Sequence, residues 1–411
     1  MSLANRARLF YGSRLSRPRN AVFILIVLAV LIAISTSSFI REFSGLPPVG
    51  LQIFFIALAG MILLTLITLA ILWFLDRREP ESRWLYSIAL LWGALIATGL
   101  ALPLNNYILT AISGFVKVHP DVQAVFGADA GLVLGAPIAG PLVEETTKGL
   151  GVLLLFWLLR AEFDDVRDGF IYGALVGIGF NLVEAPLYVL QGYVRTGDVP
   201  LYFQLADRFA LFGLAGHAMF TGLFGMGLGL ARQTTRRWLR CAAPLGGWLL
   251  GFSGHFLNNG IGLLVYLFVF LTTGKPLHDE STPKVVSEVI EPFLNQWITH
   301  SAFRLIGFFP FFLLVGIMLW QSGIWERQVI REELADEREP VITPEEYEQV
   351  KGDRIFRTRR IPHTNGRTSA AIVRAQDELA IRKWRVKHAG RDVETDALVA
   401  SWRDELVRLR G

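Results

Sequence analysis

The sequence predicts an all-α, polytopic integral membrane helical bundle of about eight transmembrane helices with a cytoplasmic helical tail. Hydrophobic residues make up 52% of its 411 positions and charged residues only 18%, and the mean hydropathy is +0.43. This composition is not typical of a soluble domain. Several apolar runs exceed the roughly 20 residues that cross about 30 Å of hydrocarbon, and each contains few charges.

Eight apolar runs give the predicted spans in chain order. They cover about residues 21–39, 50–75, 84–108, 131–159, 169–191, 202–230, 242–272 and 303–321. The first run follows a basic stretch, as in a signal peptide, but no small-residue cleavage pattern follows it, so we expect it to remain as a span. The single cysteine, Cys241, excludes an internal disulfide.

Basic residues are distributed unevenly between the two sides of these spans. On the side of the N-terminus, the segments up to the seventh span hold fourteen arginines, whereas the segments on the other side hold six basic residues over longer stretches. Because cytoplasmic loops are enriched in Lys and Arg, this pattern predicts a multi-pass protein of the cell membrane with both termini in the cytoplasm. No basic stripe interleaved with aromatic residues occurs, so we expect no nucleic-acid partner.

Spans four to seven carry polar and ionisable side chains within apolar runs, and spans one to three carry nothing comparable. The residues are Glu144, Glu145 and Lys148 in span four, Glu184 in span five, His217 and Thr221 in span six, and His255 and Asn259 in span seven. An ionisable group in hydrocarbon costs at least about 2.5 kcal/mol, so such groups normally face one another or a wet cavity. The pattern predicts one polar cluster inside the bundle.

Helical spacing suggests roles for these side chains, because residues three or four apart share a face of a helix. Lys148 can neutralise one of the two adjacent glutamates, which leaves the other available as a general base. Thr221 lies one turn from His217, and Asn259 lies one turn from a histidine in span seven. Such neighbours can orient an imidazole ring or donate to an oxyanion.

The charges of the cluster do not balance in the sequence, since three glutamates face the single positive charge of Lys148. Either protons are retained or a divalent cation such as Zn²⁺ is bound, because neutral histidines and carboxylates are ordinary zinc ligands. The candidate ligands are Glu145, Glu184, His217 and His255. The helical H-E-x-x-H signature is absent, so separate helices would have to supply them.

The depths of these residues in their predicted spans do not match. Glu144, His217 and His255 lie about thirteen to sixteen residues from the outer ends of their spans, at about 1.5 Å per residue, whereas Glu184 lies only about seven residues from the outer end of its span. The geometry therefore predicts three residues near mid-membrane and one nearer the outside.

Four motifs in a fixed order resemble those of the PrsW-type intramembrane proteases, a family related to the CAAX prenyl protease and bacteriocin-processing superfamily. The matching pieces are Glu144-Glu145-x-x-Lys148, Asp168-Gly169-x-x-Tyr172-Gly173-x-x-x-Gly177-x-Gly179-Phe180-x-x-x-Glu184, His217-x-x-x-Thr221-x-x-x-Gly225 and His255-x-x-x-Asn259, within residues 135 to 265 or so. One departure is Ala185, where many relatives have asparagine.

This resemblance implies roles for the matched residues. Glu144 and Glu145 would supply the catalytic carboxylates, the site would be completed by Glu184, His217 and His255, and the helper would be Asn259. The family is often labelled metalloprotease, whereas in the wider superfamily a glutamate and a histidine can activate water without metal. Both mechanisms therefore stay open.

The favoured function is hydrolysis of a peptide bond in another membrane protein, within or at the lipid bilayer. The resemblance suggests a single-span anti-sigma factor or a similar regulator as substrate. The alternative is a proton- or ion-coupled transporter that uses the same buried acids and histidines as a relay. A third interpretation gives the polar residues only a role in holding the helices together.

The predicted domains follow the spans. They are a basic cytoplasmic N-terminus (1–20), accessory spans one to three (21–130), a catalytic core of spans four to seven (131–272), an external amphipathic segment (273–302), span eight (303–322) and a charged cytoplasmic tail (323–411). The tail is interpreted as a solvated helical appendage, with a regulatory or docking segment as the alternative.

Overall fold

The computed structural model describes residues 13, 15, 17–76, 82–127, 129–160, 162–273, 291–353 and 359–410, and within these ranges the chain is helical without a strand. We number the helices α1 (Pro18–Phe43), α2 (Pro48–Leu75), α3 (Arg83–Lys117), α4 (Pro120–Phe126), α5 (Ala130–Leu158), α6 (Val166–Thr196), α7 (Leu201–Arg208), α8 (His217–Gln233), α9 (Arg237–Thr273), α10 (Phe293–Gly307), α11 (Phe309–Leu334), α12 (Pro344–Lys351), α13 (Gly366–His388) and α14 (Ala397–Arg410).

The number of membrane spans agrees with the sequence. Seven helical segments in the described ranges are long and apolar enough to cross a bilayer, and an eighth is counted when α4 and α5, which meet at an angle of 85°, are taken as one span. The chain is therefore a multi-pass membrane helical bundle, as its composition predicts.

The described residues form two compact units. One contains residues 17–74 and 82–312, and the other contains residues 75, 76 and 313–410. In the second unit α12, α13 and α14 share a hydrophobic core, in which Leu379, Val386, Val399 and Leu406 are fully buried. The tail therefore has a core of its own, which a solvated appendage would lack. The basic N-terminus up to residue 12 and most of the external amphipathic segment, residues 274–290, lie outside the described residues.

Helices α6 and α8 are in backbone contact at the centre of the first unit. A Cβ atom added to Gly177 would lie 2.2 Å from the carbonyl oxygen of His217, and one added to Gly169 would lie 2.0 Å from that of Gly225. Only glycine permits this approach, because small residues let helix backbones come together. Helix α6 begins at a capping box, in which Asp165 Oδ1 accepts from the backbone N–H of Asp168 at 3.0 Å.

The sixth predicted span, residues 202–230, is wrong as a continuous helix. The chain forms α7, then a 3₁₀ turn at Ala210–Gly213, and α8 starts only at His217. In the turn, Leu211 and Phe212 have φ values of 49° and 58°, in the left-handed region that non-glycine residues rarely adopt. Apolarity alone predicted a helix here and could not detect the break.

Polar contacts from other helices hold this broken segment in place. The side chain of Thr68 in α2 donates to the carbonyl oxygen of Phe212 at 2.8 Å, and the backbone N–H of Leu211 donates to Ser301 in α10 at 3.0 Å. Arg304, also in α10, donates to the carbonyl oxygen of Ala215 at 2.8 Å. These bonds satisfy backbone groups that a continuous helix would have bonded internally.

Candidate active site

Helix α5 supplies two adjacent glutamates and a lysine to the centre of the bundle. Lys148 is fully buried, and its Nζ donates to Glu145 Oε1 at 2.5 Å while lying 3.8 Å from Glu144 Oε2. The helix spacing predicted that the lysine neutralises one of the two glutamates, and the structure pairs it with Glu145.

Both carboxylate oxygens of Glu145 are occupied. Besides Lys148, Oε1 accepts from His255 Nδ1 at 2.8 Å, and Oε2 accepts from Thr221 Oγ1 at 2.9 Å. A carboxylate bonded in this way accepts but does not donate, so Nδ1 carries the imidazole proton and Nε2 keeps its lone pair. Glu145 therefore orients His255, and each of its oxygens already accepts at least one hydrogen bond.

The Nε2 atom of His255 faces two polar groups. It lies 3.8 Å from Glu144 Oε2, and it accepts from the side-chain nitrogen of Asn259, one turn along α9, at 3.3 Å. The sequence predicted this histidine and asparagine to share a helix face, and the contact places both beside Glu144.

His217 is held by a different set of partners. Lys148 Nζ lies 2.8 Å from its Nδ1, and Glu184 Oε2 lies 2.7 Å from its Nε2. Because an ammonium group only donates, Nδ1 accepts and Nε2–H donates to Glu184. Arg208 lies 2.9 Å from the same Nε2 but, as a donor, bonds Glu184 Oε2 at 2.7 Å.

Arg208 belongs to the cluster and was missed by the motif analysis. Arg208 is the last residue of α7, at a position where the sequence predicted the interior of a continuous span. The signal was present, since Asp207-Arg208 is a charged pair within an apolar run. With Arg208 included, three carboxylates face two cations, so the net charge of the cluster is one less negative than the sequence indicated.

The break before α8 also removes the predicted mismatch of depth. His217 is the first residue of α8, so it lies at a helix end and not in the middle of a long span. Glu184, twelve residues before the end of α6, reaches it directly at 2.7 Å.

Glu144 borders a cavity of about 520 Å³ that is also lined by Glu184, Tyr188 and Asn259. Its Oε1 accepts from the side-chain nitrogen of Asn105 in α3 at 3.1 Å. Its Oε2 is buried and has no hydrogen-bond partner among the described residues. Glu144 thus keeps a buried oxygen without a hydrogen-bond partner, and the residue borders a space large enough for water and a segment of polypeptide.

A buried group of one glutamate and two histidines could hold a metal ion by distance. Ligand atoms of Glu144, His217 and His255 lie within 4.8 Å of one another. Glu145 and Glu184, expected as ligands from the sequence, lie outside this group, and each forms a short ion pair, with Lys148 and Arg208 respectively.

The hydrogen bonds do not leave three free ligand atoms in this group. Both ring nitrogens of His217 are engaged, one as acceptor from Lys148 and the other as donor to Glu184. Of the other two residues, Glu144 has an unpartnered Oε2 and His255 Nε2 accepts a long bond of 3.3 Å from Asn259, whereas catalytic zinc sites use three protein ligands. The residues as arranged therefore do not fit a three-ligand metal centre.

Residues 81–274 match the PrsW family intramembrane metalloprotease. That segment contains every residue of the cluster. The chain is 30% identical over 142 residues to "Protease PrsW" of Geobacillus kaustophilus (strain HTA426) and 28% identical over 141 residues to "Protease PrsW" of Bacillus subtilis (strain 168).

These matches cover part of each protein. Each takes in 33% of this chain, and they span 58% and 60% of the length of the two PrsW relatives. No solved structure matches the chain. The likeness to PrsW proteins thus applies to the segment that forms the cluster, and the accessory spans α1 and α2 and the tail lie outside it.

Proposed function

We propose that this protein is an intramembrane protease in which Glu144 activates the water that hydrolyses a peptide bond of a membrane protein. The observation that carries the proposal is Oε2 of Glu144, which has no hydrogen-bond partner among the described residues and lies 3.8 Å from Nε2 of His255, in a residue bordering a cavity. The similarity to PrsW proteins supports the same class of reaction. Kinship with the wider CAAX protease superfamily is part of this proposal.

One water molecule can contact Glu144 Oε2 and His255 Nε2 when it takes the place of Asn259 Nδ2 at the histidine. At the usual hydrogen-bond distance of about 2.8 Å from each, it would subtend an angle of about 85° between Glu144 Oε2 and His255 Nε2. Glu144 takes one proton from this water, and His255 accepts the hydrogen bond from the other. The water oxygen is thereby positioned to attack a substrate carbonyl carbon.

The remaining steps balance the proton that Glu144 receives. Attack converts the carbonyl into a tetrahedral intermediate, whose oxyanion can accept a hydrogen bond from Asn259 Nδ2. Collapse breaks the C–N bond, and Glu144 returns the proton to the leaving amine nitrogen. Glu145 and Lys148 hold the histidines in the tautomers that this sequence of steps requires.

The two glutamates of α5 are the sharpest test. Full-length variants in detergent would be incubated with a panel of internally quenched single-span transmembrane peptides. We expect Glu144→Gln to abolish cleavage while the unfolding midpoint stays within a few degrees of wild type. Glu145→Gln should lower both, since it removes the negative charge of a buried ion pair with Lys148. Cleavage by Glu144→Gln at the wild-type rate would refute this assignment of the base.

The proposed topology places both termini in the cytoplasm and the substrate in the same membrane, with a single-span regulator such as an anti-sigma factor as the substrate class. Cys241 is exposed and is the single cysteine of the chain, so it reports sidedness without mutation. A membrane-impermeant maleimide should label it in inside-out vesicles and not in intact cells. The reverse pattern would contradict the topology.

A further inference from the structure

Asn105 connects α3 to the proposed base, although no motif of the sequence includes it. It lies on α3, 39 residues before Glu144, in a span for which the sequence indicated no polar role. A second bond ties α3 to the same part of α5, because Trp92 Nε1 donates to the carbonyl oxygen of Thr147 at 3.1 Å. Trp92 begins a π-helical turn, a feature frequent at functional sites.

The two ends of the Asn105 amide are used differently. Its nitrogen donates to Glu144 Oε1 at 3.1 Å, and its Oδ1 is buried without a partner among the described residues. This orientation of the amide fits the ionised carboxylate that the proposed base requires, because such a carboxylate only accepts. Buried amide oxygens are nearly always hydrogen-bonded, so this acceptor, on a residue that lines a cavity, is available to a donor that enters the cavity.

A polypeptide substrate offers such a donor in its backbone N–H. Asn105 borders the same cavity as Glu144. A donor bonded to Asn105 Oδ1 would therefore be separated from Glu144 only by the side-chain amide of Asn105. An N–H within a regular helix is already bonded to its own chain, so the segment that meets Asn105 must be unwound.

We propose that Asn105 positions Glu144 through its amide nitrogen and accepts a backbone N–H of the substrate with its amide oxygen. The proposal rests on the proposed protease function. The nitrogen holds Glu144 Oε1, which leaves Oε2 for the attacking water. The oxygen sets the register of the substrate relative to that water, so one side chain couples substrate position to the base.

The first test reads the carboxylate of Glu144 and needs no substrate. Infrared difference spectra of the full-length protein in detergent, wild type minus Glu144→Gln, identify the band of this carboxylate. The band should move in Asn105→Ala and in Asn105→Leu, the second variant being close to asparagine in size. Asn106→Ala is the matched control, because its exposed side chain makes no hydrogen bond to Glu144. An unmoved band in both Asn105 variants overturns the proposal.

The second test separates binding from turnover with the quenched peptide that the wild type cleaves fastest. In Asn105→Leu we expect kcat to fall about 10- to 100-fold because the base is misplaced. KM should rise about 3- to 10-fold because a substrate hydrogen bond is lost. Asn295→Ala, at an exposed position of α10, should change neither.

The outcomes distinguish this proposal from the proposed function. A moved band with unchanged KM overturns the role of Asn105 as substrate acceptor. If the band moves in the Asn105 variants but the wild-type protein cleaves no peptide of the panel, the protease function is refuted and the bond between Asn105 and Glu144 is supported. Wild-type cleavage with an unmoved band refutes the role of Asn105 alone.

Discussion

Removing Arg208 should destabilise the bundle strongly, because it leaves a buried carboxylate short of its cationic partner. Glu184 is 7% exposed and its Oε2 receives two hydrogen bonds of 2.7 Å, one from Arg208 and one from His217. In Arg208→Met the second bond remains and the charge is unpaired. Breaking a buried pair from one side costs about 3 to 5 kcal/mol, and we expect a loss of unfolding free energy in this range.

The double variant separates the charge from the rest of the side chain. Replacing Glu184 by glutamine in the Arg208→Met background removes the unpaired charge and keeps an acceptor for His217. We expect Arg208→Met/Glu184→Gln to recover most of the loss and to lie within about 1 to 2 kcal/mol of wild type, since neutral replacements of buried ion pairs are often tolerated.

Unfolding by dodecyl sulfate in mixed micelles, followed by tryptophan fluorescence, measures these differences. Arg236→Met is the control, because this arginine is exposed and a change within about 0.5 kcal/mol is expected there. A loss below about 1 kcal/mol in Arg208→Met would refute the reasoning. A double variant no more stable than the single variant would do the same.

Three further predictions concern packing, pH and metal. Gly177→Ala should cost at least about 1 to 3 kcal/mol by thermal unfolding and lower peptide cleavage, because its Cβ would lie 2.2 Å from a backbone oxygen, whereas Gly262→Ala meets nothing within 4 Å and should be neutral. Burial raises the pKa of Asp377 to about 6 despite Arg359, so the folded tail holds a proton and should lose about 2 to 3 kcal/mol as pH rises from 4 to 6. Asp377→Asn should remove this loss in hydrogen exchange of residues 366–388, measured in the full chain and corrected for intrinsic rates. Purified wild-type protein should hold well below one divalent ion per chain by elemental analysis, and it should still cleave peptides after treatment with a chelator. A stoichiometric ion that is lost in His217→Ala would contradict the absence of a three-ligand centre.

The positions of the helices and most of the cluster could be predicted because both depend on local rules. Apolar runs of sufficient length locate spans, and spacings of three or four residues locate shared faces, as for Lys148 and Glu145. Charged side chains within those runs must then meet one another, because hydrocarbon offers them no other partner. These rules are sufficient to place six ionisable residues in one cluster.

The parts that escaped prediction depend on contacts between distant segments. Arg208 joins the cluster because the chain breaks at Leu211 and Phe212, and that break is held by Thr68 and α10, far away in sequence. Asn105 reaches Glu144 only because α3 lies against α5, and a single asparagine in an apolar span gives no periodic signal. The core of the tail was missed for another reason, since charged helices can hide a narrow apolar stripe.

The pairing of Lys148 with Glu145 within one helix has a consequence for how the protein enters the membrane. Synthesis proceeds from the N-terminus, and His255, the partner on α9, follows Glu145 by about 110 residues, or about 5 to 20 s of translation. During that interval α5 must be inserted without the histidines that later surround it. Lys148 lies in the same helix as Glu145 and is inserted together with it as its counter-ion. The translocation machinery therefore inserts a segment with one unpaired carboxylate instead of two. Loss of Lys148 would therefore lower the yield of inserted chains, apart from any effect on the activity of the folded protein.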